Sequence, residues 1–179
     1  MTIAAKQFAG AIKFRGVVDF EEVYKFIFKW LEDRQFYPYE DSYIYKFPQE
    51  FFVKLRGEKK VTSYVLYRLR INFESTFCDL VDVEKDGKKK KMFSGSLRIM
   101  FFSEVETDYE RDEKGNRLWE ANPWTERLKN FFEKIVWKTR FEVEHPDTIQ
   151  DEAFEILDEV KTLMSMHGVV LAYDRTGEE

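Results

Sequence analysis

Cysteine, histidine and proline are scarce in this chain of 179 residues, which has one cysteine, two histidines and four prolines. The single cysteine, Cys78, excludes an intramolecular disulfide and a cysteine-rich zinc site, and it fits a reducing compartment. The two histidines, His145 and His167, have no second histidine at ligand spacing. We therefore expect no metal site.

Long hydrophobic runs are also missing. The first residues, Met1–Lys6, lack the apolar core of a signal peptide, and no window approaches the roughly 20 apolar residues that cross a bilayer. We expect a cytoplasmic protein without a transmembrane segment. The formal net charge of −5 lacks the basic excess of a dedicated nucleic-acid-binding protein, which argues against nucleic acid as a partner.

Sequence motifs for catalysis or for cofactor binding are absent. No serine lies in a nucleophile-elbow context, and the eight glycines form no phosphate-binding motif. Cys78 lies among apolar strand residues, where cysteine usually acts as a small hydrophobic side chain. We expect no catalytic residue and no cofactor, and we favour a protein that is not an enzyme.

Apolar and aromatic side chains, by contrast, are abundant. Hydrophobic residues make up 44% of the chain and aromatic residues 17%, with 18 phenylalanines. This composition excludes a disordered chain. At this length we predict one domain, residues 1–179, with a core built from large flat side chains.

The strongest pattern is the stretch from Ser63 to Tyr109, where apolar and polar residues alternate in two long segments. Alternation with a period of two predicts strands with one buried and one solvated face, typical of antiparallel pairing. Asp86–Gly87 and the lysines that follow, Lys88–Lys91, predict a hairpin connection between them. Gly95 and the Ser75–Thr76 region are candidate bulges.

The segments before this stretch predict a strand, a helix and shorter strands. The first strand is predicted to end near Val18, and Asp19 is the predicted N-cap of a helix that ends near Arg34. The apolar residues of this helix cover more than one face. They pack between the sheet and another helix, or part of them lines a cavity or a partner surface. A turn is predicted at Gly57–Lys60.

The segments after this stretch predict two more helices. One begins with Asn122 as its N-cap and Pro123 at its first position. The other is capped by Asp147 or Thr148 and stops at Gly168, after which the tail is expected to fray.

The predicted fold class is α+β, with the element order β-α-β(n)-α-α. It consists of a curved antiparallel sheet with three α-helices packed mainly on one face. This order is similar to the layout of helix-grip lipid-binding domains, in which a sheet wraps a long terminal helix around a cavity. A likeness of layout does not by itself imply function.

The candidate binding residues lie on the polar face of the two long strands: Arg68, Arg70, Arg98, Glu104 and Glu106. The three arginines could form an anion-binding cluster if the strands pair in a suitable register. Alternatively, arginines and glutamates on adjacent strands pair with one another and neutralise this face. We favour the second interpretation.

Three functions follow from these patterns. The first is a non-enzymatic binding or interaction module that holds a partner protein or an apolar small molecule between sheet and helices. The second is an enzyme that uses Glu104, Glu106 or Asp108 in acid/base chemistry. The third is an electrostatic binder of anionic lipid or nucleic acid through Lys88–Lys91.

Three tryptophans surround the predicted helix that begins at Asn122, namely Trp119, Trp124 and Trp137. Tryptophan is enriched at interaction hot spots, but a domain rich in phenylalanine can also use it in the core. We favour the core.

Overall fold

The computed structural model describes residues 4–46, 50–85, 88–111, 124, 126–127, 131, 144–165 and 169–174. The elements in chain order are β1 (Ala4–Val18), α1 (Phe20–Asp33), β2 (Tyr37–Lys46), β3 (Glu50–Lys60), β4 (Val65–Lys85), β5 (Lys88–Thr107), α2 (His145–Ser165) and β6 (Val169–Asp174). The six strands form one sheet in the order β2-β3-β4-β5-β1-β6. Every neighbouring pair in this sheet is antiparallel.

The predicted element order, with three helices and two of them at the end, is wrong. The described residues form two helices, and a strand follows the second one, so that the order is β-α-β-β-β-β-α-β. Residues 169–174 of the tail, which was predicted to fray, pair with β1, where Val169 lies opposite Arg15 and Tyr173 opposite Ile12, and residues 175–179 lie outside the described residues. The apolar tail thereby covers an edge of the sheet that would otherwise stay open. The helix predicted from Asn122 falls almost entirely outside the described residues.

The predicted alternation in the two long strands is confirmed. Apolar side chains at every second position of β4, from Val65 to Phe73, are at most 4% exposed. They join the core with Leu97, Ile99 and Phe101 of β5. Both helices contribute side chains to this same core, so α1 and α2 lie on one face of the sheet.

The β4–β5 hairpin extends beyond the rest of the sheet. Pairing of β4 with β3 ends at Thr76, and pairing of β5 with β1 ends at Phe93. The register shift in β4 lies between Thr76 and Asp79, next to the candidate bulge at Ser75–Thr76. Gly95, the other candidate, is the β5 residue at this same shift, since Ser96 pairs with Thr76 and Ser94 with Asp79, and it pairs regularly only with Gly16 on β1. Lys88–Lys91 belong to β5 rather than to a connecting loop, because the pairing continues to Lys88.

Helix α1 begins and ends with well-formed caps. Asp19 is its N-cap, as predicted, and its Oδ1 accepts a hydrogen bond of 3.1 Å from the Glu22 backbone N–H. At the other end, the Gln35 N–H donates to Glu32 O (2.9 Å) and the Phe36 N–H donates to Leu31 O (2.8 Å). These two bonds, with Gln35 at a φ of 65°, form a Schellman motif.

Gly57 lies inside β3, opposite Pro38 and Leu69, and not in the predicted turn. A Cβ atom at this position would lie 2.9 Å from Cδ2 of Leu31. The glycine therefore lets α1 approach the sheet closely. The turn between β3 and β4 comes later, at residues 61–64.

Helix α2 buries the apolar residues predicted for the last helix, with the exception of Leu163. Ile149, Ala153, Ile156, Leu157, Val160 and Met164 are at most 1% exposed. The helix starts at His145, so both predicted caps, Asp147 and Thr148, lie inside its first turn. Nδ1 of His145 lies 2.7 Å from the hydroxyl of Tyr67 on β4, and this contact joins the start of α2 to the sheet.

Candidate functional site

The face of the sheet opposite α1 and α2 carries rows of polar side chains. Strand pairing places these residues side by side on β3, β4 and β5. We call this surface the charged face, and its charged and amide-bearing members are Lys54, Arg56, Glu58, Arg68, Arg70, Asn72, Glu74, Arg98, Glu104 and Glu106.

Arg68 is the centre of an ion-pair network on the charged face. It lies opposite Glu58 on one neighbouring strand and opposite Glu104 on the other. Its Nε donates to Glu58 Oε1 at 2.7 Å, and its Nη1 contacts both Glu104 and Glu106. Burial lowers the pKa of Arg68, but hydrogen bonds to Glu58 and Glu106 and their charges outweigh this effect and raise it.

The network continues through a second arginine on β4. Arg70 Nη2 lies 2.5 Å from Glu104 Oε2, while Glu104 Oε1 lies 3.4 Å from Arg68. The side chain of Glu104 is only 9% exposed, so this carboxylate is held between two guanidinium groups below the surface. Such a buried carboxylate depends on both partners.

Arg56 on β3 extends the network towards the edge of the sheet. Its Nη2 lies 2.7 Å from Asp41 Oδ2, and its Nη1 donates to the hydroxyl of Tyr39 at 3.2 Å. The Tyr39 hydroxyl in turn donates to Glu58 at 3.0 Å. Polar contacts therefore run without interruption from β2 to β5.

The structure brings four of the five predicted binding residues together. Arg68, Arg70, Glu104 and Glu106 share the network, whereas Arg98 lies further along β5, opposite Glu74. The predicted pairing of arginines with glutamates is present for Arg68 and Arg70. Asp108, the third member of the predicted acidic row, lies beyond β5 at a φ of 56° and donates its N–H to Tyr64 O.

The sequence prediction missed the contribution of β3. Lys54 lies opposite Asn72, and Arg56 lies opposite Arg70, which places two arginines next to each other. The alternation of Lys54, Arg56 and Glu58 with apolar residues was available in the sequence. The predicted turn at Gly57–Lys60 ended this strand too early.

A small cavity lies on the charged face between these residues, with a volume of about 100 Å³. We call it the basic cavity. Its lining comprises Asp41, Lys54, Leu55, Arg56, Arg70, Asn72 and Phe102. Nε of Arg56 and Nε of Arg70 are buried and form no hydrogen bond with the described part of the chain.

A second candidate site lies on the opposite side of the molecule, between the two helices. It is an open groove of about 590 Å³, which we call the helical groove, lined by Phe26, Glu155, Asp158, Glu159, Thr162 and Leu163. Phe26 and Leu163 are half-buried. They supply an apolar floor, and three carboxylates surround it.

Two contacts fix the helices that form the helical groove. Nε1 of Trp30 donates to Glu159 Oε1 at 3.0 Å, and Arg34 pairs with both Glu155 and Glu159. Although Arg34, at the end of α1, pairs with two of its glutamates, α2 is strongly acidic. Its six acidic residues and single lysine give it a formal charge of −5, equal to that of the whole chain.

The lysines of the hairpin take part in ion pairs and in strand pairing. Nζ of Lys90 contacts the buried carboxylate of Asp19, and this bond raises the pKa of Lys90. Lys89 and Lys91 lie opposite Glu84 and Asp82 in the strand register. The lysine-rich segment is therefore matched by acidic residues on the facing strand.

Two further features bear on function. In the described residues, no group of three or more histidine, cysteine, aspartate or glutamate residues could hold a metal ion. No helix in the same part of the chain is long and apolar enough to cross a membrane. Comparison of the chain with protein-family models, curated proteins and solved structures found no match.

Proposed function

We propose that the protein is a non-enzymatic interaction module that binds a partner protein in the helical groove. The observation that carries this proposal is the apolar floor of Phe26 and Leu163, exposed between two helices and surrounded by carboxylates. Apolar patches with polar rims are typical of protein-binding surfaces. Of the three tryptophans predicted as core, Trp119 and Trp137 lie outside the described residues. The core prediction is wrong for Trp124, which is 68% exposed, and tryptophan is enriched at interaction hot spots.

The charge around the helical groove favours one class of partner. Glu155, Asp158 and Glu159 line it, on a helix that carries six acidic residues. Arg34 contacts two of the three carboxylates, but one guanidinium group does not balance the charge of the helix. A partner segment with lysine or arginine beside an aliphatic or aromatic side chain would match both its floor and its rim. Two other cavities lie on the charged face.

The acid/base and lipid-binding alternatives receive less support. Both oxygens of Glu104 contact arginines, and Glu106 contacts Arg68, so guanidinium groups occupy these carboxylates. Of the hairpin lysines, Lys90 is bound to Asp19, which makes it less available to an anionic lipid or a nucleic acid.

Selection from a displayed random-peptide library tests the proposed function. We expect enriched peptides to combine basic residues with an apolar anchor, to lose binding to Leu163→Gln, and to weaken as salt increases. The matched control is Ile44→Gln, which removes an apolar side chain that is 46% exposed on the edge strand β2. Enrichment of no peptide, or equal binding to Leu163→Gln and wild type, would contradict the proposal.

A further inference from the structure

The basic cavity on the charged face combines positive charge with unused hydrogen-bond donors. Its lining includes three cationic side chains and one carboxylate. The carboxylate, Asp41, is bound by Arg56 Nη2 at 2.7 Å. The remaining positive charge therefore comes from Lys54 and Arg70, and only Arg70 shares its charge with an acid, Glu104.

The strand register holds like charges together at this cavity. Arg56 and Arg70 lie directly opposite each other on β3 and β4. Like charges at directly opposed positions destabilise a sheet. Asp41 and Glu104 offset part of this repulsion, and an anion bound between the two guanidinium groups would offset more of it.

Four donors belong to residues that line the basic cavity. The buried Nε atoms of Arg56 and Arg70 have no acceptor in the described part of the chain. Lys54, opposite Asn72, forms no ion pair with a described residue, and its Nζ lies 5.0 Å from the Phe52 ring centroid. Asn72 adds a side-chain amide that can donate hydrogen bonds.

We infer that the basic cavity is a binding site for a phosphate group. A tetrahedral oxyanion offers several acceptor oxygens to donors that surround it, and guanidinium and ammonium groups are the side chains that bind phosphate in proteins. A volume of about 100 Å³ is enough to admit one such group. The site lies on the opposite side of the sheet from the helical groove, and it does not depend on the proposed partner protein.

Titration with phosphate, followed by ¹H–¹⁵N NMR, tests this site. At constant ionic strength we expect inorganic phosphate or glycerol 3-phosphate to shift the Nε–H signals of Arg56 and Arg70 and the side-chain amide of Asn72. Tighter binding of the monoester identifies a phosphate carried by a small molecule, and equal or tighter binding of the inorganic ion identifies free phosphate. If neither compound shifts these signals, the inference is overturned.

Two variants separate a specific site from general attraction. Lys54→Met should weaken phosphate binding about tenfold or more, because it removes a charge-assisted contact at the cavity. Lys13→Met removes the same charge from an exposed position on β1, and we expect it to leave the affinity unchanged. The backbone spectrum of each variant shows whether it is folded. Equal weakening by both substitutions would overturn the inference.

Discussion

Gln35 adopts a backbone conformation that is unfavourable for residues other than glycine. It closes the Schellman motif after α1 at a φ of 65°, a conformation that favours glycine. We expect Gln35→Gly to raise the free energy of unfolding by about 0.5–1 kcal/mol, measured by urea denaturation.

A glycine placed three residues earlier provides the control for Gln35→Gly. Glu32 lies within α1, where glycine lowers stability by about 1 kcal/mol. Opposite signs for Gln35→Gly and Glu32→Gly would support the cap geometry. A loss of stability in both variants would contradict it.

Tyr24 couples stability to alkaline pH. Its hydroxyl donates to Glu40 at 2.6 Å, and burial, followed by this bond, raises its pKa above the ordinary value. Because an unfolded tyrosine ionises near pH 10, the contribution of Tyr24 is complete below about pH 10 and is lost as pH rises towards the folded-state pKa.

The Tyr24→Phe substitution measures this contribution. We expect the unfolding free energy to fall by about 1 kcal/mol at pH 8 and the difference from wild type to shrink above about pH 10. Tyr37→Phe is the matched control, since this tyrosine is 75% exposed, and it should have little effect. A difference that does not change between pH 8 and 11 would contradict the coupling.

Arg68 is the residue on which three carboxylates depend. Replacing it with methionine would leave Glu104 and Glu106 without this partner at a largely buried position. We expect Arg68→Met to lower the free energy of unfolding by about 3 kcal/mol, as measured by urea denaturation at pH 7. Arg15→Met, on an exposed side chain of β1, should change it by less than about 0.5 kcal/mol.

Restoring the charge balance completes the test of the Arg68 network. If the loss comes from unpaired carboxylates, adding Glu106→Gln to Arg68→Met should recover part of it, and Glu104 is kept because it also pairs with Arg70. A double variant that is no more stable than Arg68→Met would show that packing of the arginine stem, rather than charge, accounts for the effect.

At the scale of elements, the contact between α1 and β3 depends on the missing side chain of Gly57. Leu31, which a Cβ atom would meet, is fully buried and has little room to move. We expect Gly57→Ala to lower the free energy of unfolding by about 1–3 kcal/mol through overpacking. Chemical denaturation of the single variants and of the double variant with Leu31→Ala measures the coupling.

The double variant distinguishes overpacking from other effects of the alanine. Leu31→Ala creates space beside Gly57, so the second substitution should be less harmful in that background. If Gly57→Ala has the same effect in the wild-type protein and in the Leu31→Ala variant, direct contact between the two positions is not the cause.

At the scale of the whole molecule, the sequence predicted individual strands and helix caps better than the order and pairing of the elements. The period of β4 and the N-cap at Asp19 follow from neighbouring residues, and both are confirmed. The strand after α2 depends on pairing with β1, more than 150 residues earlier in the chain. Such distant pairing leaves no mark in a local pattern, which is why the predicted order ended in a helix.

The candidate site was predictable only in part, for a similar reason. Alternation placed Arg68, Arg70, Glu104 and Glu106 on one face, but their partners depend on register. Gly57 has the composition of a turn and is used instead for close packing against Leu31. The misplaced turn removed Glu58 from the predicted strand, and Lys54 and Arg56 join the site only through the register of β3 with β4.

Stability should also vary along the longest hairpin. Beyond Leu80, β4 pairs with β5 alone, whereas residues such as Ile71 have neighbours on both sides. A two-stranded ribbon is marginally stable, so amides near Val83 should exchange with solvent by local opening. Hydrogen-exchange mass spectrometry should show protection at Ile71 that is orders of magnitude greater than the protection at Val83. Equal protection along β4 would contradict this gradient.

The acidity of α2 gives the molecule a preferred orientation. Because this helix carries six acidic residues and one lysine, the side of the sheet on which it lies is strongly acidic. A positively charged matrix or sensor surface would attract that side first. The molecule would then be immobilised with its helices against the support and its charged face towards the solution, accessible to a small anion.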